Sequence, residues 1–391
     1  MSRFGAGLST DPDVVAAAEQ AAHEAMAPLG SQRPDLVFAF VHTDDPDLVD
    51  AVGTRVAELT GARHVVGCTA HGVIGGERAV EQSTAVSVWA AVLPGVTLRT
   101  FHLEVIRTGE SLAVVGMPDL GDDDRLCVLL ADPYTFPADG FVEEANDSFP
   151  GLPLVGGMGG GARGAGSTRL LLDDRVVDRG AVGVLLSGPI RLRTVVSQGC
   201  RPIGPAMVVT AVDGNALLEL AGVPALSKLE QLLSELTPED QALASRGLQI
   251  GVVMDEYAEQ HERGDFLVRG VIGGDRERQA VLVGDLVAVG RTVRFQVRDA
   301  DAAAEDLHAL LNEARAEPAG QLVDGALLFT CTGRGEHLFA SADHDVRALR
   351  EHFEQVPVAG FFANGEIGPV GGRNHLHGFT ASIVTFGPDT G

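Results

Sequence analysis

The chain has 391 residues, 45% of them hydrophobic, enough for two or three packed domains at about 100–200 residues each. Its 54 acidic residues outnumber 29 basic ones, for a net charge of −25, and Lys228 is the sole lysine. A surface this acidic repels phosphate backbones and anionic lipid, so neither nucleic acid nor a membrane is expected as a partner.

No apolar run reaches the ~20 residues that span a bilayer. The N-terminal Met-Ser-Arg-Phe-Gly-Ala-Gly lacks the charged-then-apolar order of a secretion signal, so a cytoplasmic location is expected. Cys68, Cys127, Cys200 and Cys331 form no C-x-x-C pair and are too few for a disulfide framework, and no zinc pattern is present.

One pattern recurs three times: an apolar strand, a helix, a second strand running into a Gly-rich loop, and a further strand. The first copy has a strand over 35–41, a helix over 46–59 behind the Asp44-Asp45-Pro46 cap, and a second strand over 64–67. The loop 68–76 and a strand over 84–92 complete it. The second has strands over 125–131, 154–156 and 180–186, a helix over 138–148, and the loop 157–166. The last has strands over 325–331, 357–360 and 378–386, a helix over 345–353, and the loop 361–372. The near-continuous apolar strands predict burial on both faces, with helices crossing between strands. The expected fold is α/β: two modules of mixed β-sheet with flanking helices, built from this strand-helix-strand-strand unit.

Residues 205–300 read differently. A hairpin is expected over 206–220 around Asp213-Gly-Asn215, then a helical stretch over 224–244 and strands over 248–254, 266–272 and 292–297. Residues 302–314 read as a helix. The Gly/Pro-rich joint Gln198-Gly-Cys-Arg-Pro-Ile-Gly204 marks the expected boundary. The first module is placed at 1–200, with its two units at about 35–105 and 125–198, and the second at 201–391.

Val66-Gly-Cys-Thr-Ala-His-Gly-Val-Ile74 resembles the FIST N module, and the joint at 198–204 resembles that family's connecting segment. Cys331-Thr-Gly-Arg-Gly335, Gly360–Pro369 and Asn374-His-Leu-His-Gly-Phe-Thr380 resemble the FIST C module. The resemblance covers nearly the whole chain. It implies a sensory, signal-transducing protein that binds a small polar ligand such as an amino acid. With no output domain in the sequence, a separate signalling protein is the implied partner. No cofactor is implied.

The Gly-rich loops follow carboxyl ends of strands, where α/β sheets place ligands, and glycines let backbone approach a ligand closely. Within them Asn364, Gly365 and Glu366 are candidates for holding a ligand amide, carboxylate or amino group. Arg334, between Gly333 and Gly335, is a candidate bidentate clamp for a carboxylate, with Arg201 a weaker one. Asn374 and His377 join the set through the C-terminal motif. Cys331 beside Arg334, with His375 or His377 as base, and Cys68 with His71, are candidate thiol nucleophiles. His337, Asp343, His344, Asp345, His375 and His377 match no standard metal spacing, so no metal is expected. A ligand sensor is the favoured reading, with no catalytic residue assigned. The alternatives are a thiol-dependent enzyme using Cys331 or Cys68, and a protein-interaction scaffold like F-box relatives of the family.

Overall fold

The computed structural model describes residues 1–109, 111–161, 163–258, 261, 263–316 and 323–388. They form mixed sheets with flanking helices in two compact units. One unit comprises the described residues of Met1–Val196, His308–Leu376 and Thr380–Gly391, and the other Ser197–Leu307 with His377–Phe379.

The first unit contains three of the sheets, and each is built round a parallel strand pair with an antiparallel neighbour. Leu36–His42 lies parallel to His64–Thr69 and antiparallel to Ala85–Val92. Asp124–Ala131 lies parallel to Leu154–Met158 and antiparallel to Ala181–Ser187. Gly325–Cys331 lies parallel to Val358–Ala363 and antiparallel to Thr380–Gly387. Helices Val49–Thr60, Ala138–Ser148 and His344–His352 make the crossovers that parallel pairing requires. In the second strand of each pair one glycine faces a carbonyl of the first strand. A Cβ on Gly67, Gly156 or Gly360 would lie 2.0, 2.0 or 1.7 Å from the carbonyl oxygen of Ala39, Leu129 or Leu328. No larger residue fits there.

Two of the Gly-rich segments, 68–76 and 361–372, differ from the sequence reading, because a strand lies inside each; these two strands, and a third just past the loop 157–166, leave their own sheet. Val73–Gly75 pairs with the Val358–Ala363 strand of the third sheet. Leu170–Leu172 pairs with the His64–Thr69 strand of the first. Glu366–Val370 pairs with the Leu154–Met158 strand of the second. Each sheet thus receives a strand from another, and the three are joined in a ring by this exchange.

Side-chain alternation then places one face of every parallel strand toward a shared core. Phe38, Phe40, Val66 and Cys68 meet Val128, Leu130 and Val155 there, with Leu327, Phe329, Ala359 and Phe361. The Phe40 ring lies 6.3 Å from that of Phe329 and 5.1 Å from that of Phe361, offset geometries that aromatic pairs favour. The opposite faces are covered by helices: Val37, Ala39 and Val65 by Val14–Met26 and Val49–Thr60, and Leu129 and Ala131 by Ala138–Ser148. Burial on both faces is what the apolar runs predict.

Asn374, a sequence candidate for ligand contact, is instead a latch. Its Nδ2 donates to the Leu152 carbonyl at 2.9 Å and its Oδ1 accepts from the Leu154 amide at 2.8 Å. Its backbone N–H and C=O pair with the Asn146 side chain at 2.7 and 2.9 Å. Truncation in Asn374→Ala leaves two buried backbone groups unpaired, so a loss of about 2–4 kcal/mol is expected in denaturant unfolding. A loss within about 0.5 kcal/mol would contradict the latch.

In the second unit Thr292–Arg298 pairs with both Met207–Asp213 and Leu248–Val253. The ring closes through Ala216–Leu220, Ala280–Val283 and Phe266–Asp275, giving a small antiparallel barrel. Val209, Leu217, Ile250, Val281 and Phe295 pack with Leu226, Leu229 and Leu232 of helix Ala225–Glu235. The helical stretch expected over 224–244 is broken, because Thr237 caps a new helix, Pro238–Ser245, with Pro238 in its first turn. Arg201 lies here, its guanidinium bonded to Asp240 and, at 2.5 Å, to Asp299.

Candidate functional site at the strand crossings

The carboxyl ends of the three parallel pairs come together in the first unit, where the exchanged strands cross. Gly159 and Gly160, just past Leu154–Met158, donate to the carbonyls of Ala131 and Thr69, each at 2.8–2.9 Å. Asn364 donates from its backbone to Met158 O at 3.0 Å and from Nδ2 to Gly159 O at 3.0 Å. Met158 donates to Gly365 O, and Phe362 to Gly72 O. One turn, Gly159-Gly-Gly161, therefore touches the end of the first sheet on one side and the Asn364-Gly365 turn on the other. A Cβ on Gly160 would lie 2.7 Å from Asn364 Nδ2 and 2.8 Å from His71 Nε2. Ala162, inside the same Gly-rich loop, lies outside the described residues.

Of the sequence candidates, Cys68, His71, Asn364, Gly365 and Glu366 meet at this crossing. His71 is half-buried, and burial followed by the nearby His42 lowers its pKa, so its imidazole is neutral at pH 7. His42 Nδ1 lies 2.9 Å from the Ala70 carbonyl, on the same turn. Cys68 is fully buried, and burial raises its pKa far above neutrality, so it is a thiol and a poor nucleophile.

Glu366 is wholly buried. Its Oε2 accepts from the Thr380 amide at 3.1 Å and the Thr380 hydroxyl at 2.8 Å. Burial pushes the carboxyl up to about 8, against the lowering pull of those bonds and of Arg334. Oε1 makes no hydrogen bond of normal geometry to a described residue. Among the described residues of the first unit, two further buried side-chain oxygens share that property, Asp132 Oδ1 and Thr168 Oγ1. Asp132 follows the Asp124–Ala131 strand directly, and its Oδ2 accepts from Thr135 at 2.5 Å. Thr168 leads into Leu170–Leu172, beside the Thr69–Ala70 end of the first sheet. Sequence reasoning missed His42, Asp132 and Thr168. The position just after an apolar strand singles out the first two; Thr168 carries no local signal.

Cys331, Gly333, Arg334 and Gly335 form the adjoining turn, and here the carboxylate clamp is corrected. Arg334 is 1% exposed, with Nε and Nη2 bonded to Asp345 at 2.8 and 2.9 Å. Asp345 also accepts from Thr330 at 2.5 Å and meets His344 Nδ1 at 2.9 Å. Burial alone would raise this carboxyl; Arg334, with the bonds from His344 and Thr330, holds it well below the usual range. The guanidinium thus grips a carboxylate of its own chain, and its open face stacks on Phe339. Gly335 lies against the Glu81 carboxylate, which accepts the Glu336 amide at 2.8 Å. Cys331 is buried, with the Gly333 amide 3.4 Å from its sulfur. Arg201 and His377 belong to the second compact unit. Among the described residues no group of three or more His, Cys, Asp or Glu could hold a metal ion, and no helix is long and apolar enough to cross a membrane.

An α/β unit with Gly-lined strand crossings, followed by a barrel-bearing segment, matches the family models for the FIST N domain over residues 35–223 and the FIST C domain over 225–369. The chain belongs to the FIST family, whose domains are associated with sensory and signal-transduction proteins. It is 44% identical to "Uncharacterized protein Rv0628c" of Mycobacterium tuberculosis over 388 residues, 98% of this chain and 99% of the relative. It is 42% identical to "Uncharacterized protein Mb0898c" of Mycobacterium bovis over 387 residues, 99% of each.

Proposed function

We propose that this protein is a small-ligand sensory protein that binds a polar molecule of about amino-acid size at the strand crossing of its first unit. It passes the signal to a separate protein. One observation carries the reading. The ends of three parallel pairs converge on a glycine turn beside buried oxygens of Asp132, Thr168 and Glu366 that make no hydrogen bond of normal geometry to a described residue. Buried polar atoms normally find partners, and strand carboxyl ends are where α/β sheets take ligands. Family membership supports a sensory role over a catalytic one. A thiol-enzyme reading through Cys68 is disfavoured by the complete burial of that residue and its raised pKa.

A thermal-shift screen against amino acids, amines, small carboxylates and nucleotides tests the reading. A ligand at 100 times its dissociation constant stabilises by about 2.7 kcal/mol, a readily measured rise in Tm. A flat response across that library would overturn it.

A further inference from the structure

We propose that the strand Ser111–Val115 is a docking edge for a second copy of this chain, paired antiparallel about a two-fold axis at Ala113. The strand forms a hairpin with Thr97–Thr108 and ends the second sheet beyond Ala181–Ser187. A terminal strand offers a row of unpaired backbone N–H and C=O groups, and proteins blunt such edges with charged side chains. The three sheets of the first unit end in six edge strands. Five of them, Arg3–Ser9, Arg78–Val80, Arg175–Val177, Arg191–Gln198 and Arg373–His377, open on an arginine. Ser111–Val115 alone carries no charge, and the uncharged run continues through Gly116 and Met117 until Pro118 and Asp119 close it.

The same hairpin gathers exposed apolar side chains. Among the described residues of the first unit six large apolar side chains are exposed, and three of them are Ile106, Leu112 and Val115, at 44, 56 and 41%. Ile106 pairs with Ala113, and Leu112 and Val115 flank that rung. Scattered singly such residues need no explanation, but clustered on an unprotected edge they mark a contact surface. A second copy is the occupant that fits. At a net charge of −25 two copies repel, so they can meet only where the contact itself is uncharged, and this edge is uncharged. Antiparallel pairing about a two-fold axis is self-complementary. Centring it on Ala113 sets Leu112 opposite Val114 and Ser111 opposite Val115, so all five residues of the strand pair with one another and no like charges meet across the new ladder. A partner strand that carried charges would find no counter-charge on this strand.

Sedimentation velocity of the full chain tests the proposal. One strand pair buries less than a standard interface, so a reversible dimer is expected, growing in over about 10–100 μM and favoured by added salt, which screens the net charge. Leu112→Lys combined with Val115→Lys should leave Tm close to wild type, because both side chains are exposed. The two lysines reduce the net negative charge, so general repulsion between copies falls. Dimerisation should nonetheless weaken at least tenfold, because the edge is now charged. Ala113→Cys is the second arm. Residues directly opposite on antiparallel strands lie within disulfide reach, so oxidation with diamide should link two copies through this cysteine. The four native cysteines are buried and give no competing link. A chain that stays monomeric to about 100 μM in high salt would overturn the proposal. So would a dimer that survives the double lysine change, or an Ala113→Cys dimer that does not cross-link.

Discussion

Arg334→Ala is expected to destabilise the chain by about 3–5 kcal/mol, because it strands the Asp345 carboxylate in a dry interior. Asp345 is 4% exposed, and its remaining contacts, Thr330 and His344, do not replace a bidentate cation. Asp345→Ala should cost a similar amount, since it leaves the guanidinium equally stranded. The double change Arg334→Met with Asp345→Leu should cost much less than either single change. Buried ion pairs replaced by apolar groups of similar volume are often nearly neutral. A urea-unfolding double-mutant cycle measures all three. Single changes within about 1 kcal/mol of wild type would show that the pair is not the buried bridge described. The consequence for function is direct: loss of ligand binding in Arg334→Ala would report misfolding as much as recognition.

Glu366 gives the second large effect, on pH. Its folded-state pKa, pushed to about 8, lies above the usual 4.5. The folded state therefore holds a proton that the unfolded state releases. This contribution is fully present below about pH 4.5 and is lost as pH rises through about 8. Stability relative to Glu366→Gln should fall across that window, by roughly 4 kcal/mol in all. Asp345 acts in the opposite sense. Its lowered pKa contributes stability above the usual carboxylate range that disappears in acid. Urea midpoints of wild type and Glu366→Gln at intervals between pH 4.5 and 9 test the claim. Parallel curves would contradict a buried protonated Glu366.

The sequence carried the local elements well and the long-range ones poorly. The helices at Val49–Thr60, Ala138–Ser148 and His344–His352, and the strands they join, follow from apolar patterns that each segment contains. The exchange of strands between sheets does not. Val73–Gly75 and Glu366–Val370 are short and lie in segments that read as loop, and Leu170–Leu172 falls in a stretch assigned to no element; only their partners in other sheets make them strands. Tertiary context decides strand pairing for such segments.

The same division explains the site. Cys68, His71, Asn364 and Glu366 were legible because they sit in distinctive Gly-rich motifs at strand ends. Arg334 was legible as important, and its role was misread. Flanking glycines signalled a tight turn, but the partner carboxylate lies eleven residues on, where no local rule pairs them. Asn374 looked like a ligand contact for the same reason. A side chain that hydrogen-bonds backbone at 152 and 154 has no signature in its own neighbourhood.

Gly160→Ala tests the central claim most directly. The added methyl would press on Asn364 Nδ2 and His71 Nε2, the ends of two movable side chains, so the variant should fold with a Tm close to wild type. The same methyl stands in the middle of the proposed crossing. In parallel thermal-shift titrations, the ligand that stabilises wild type should bind Gly160→Ala at least tenfold more weakly. An equal shift in both proteins would contradict binding at the crossing of the three sheets.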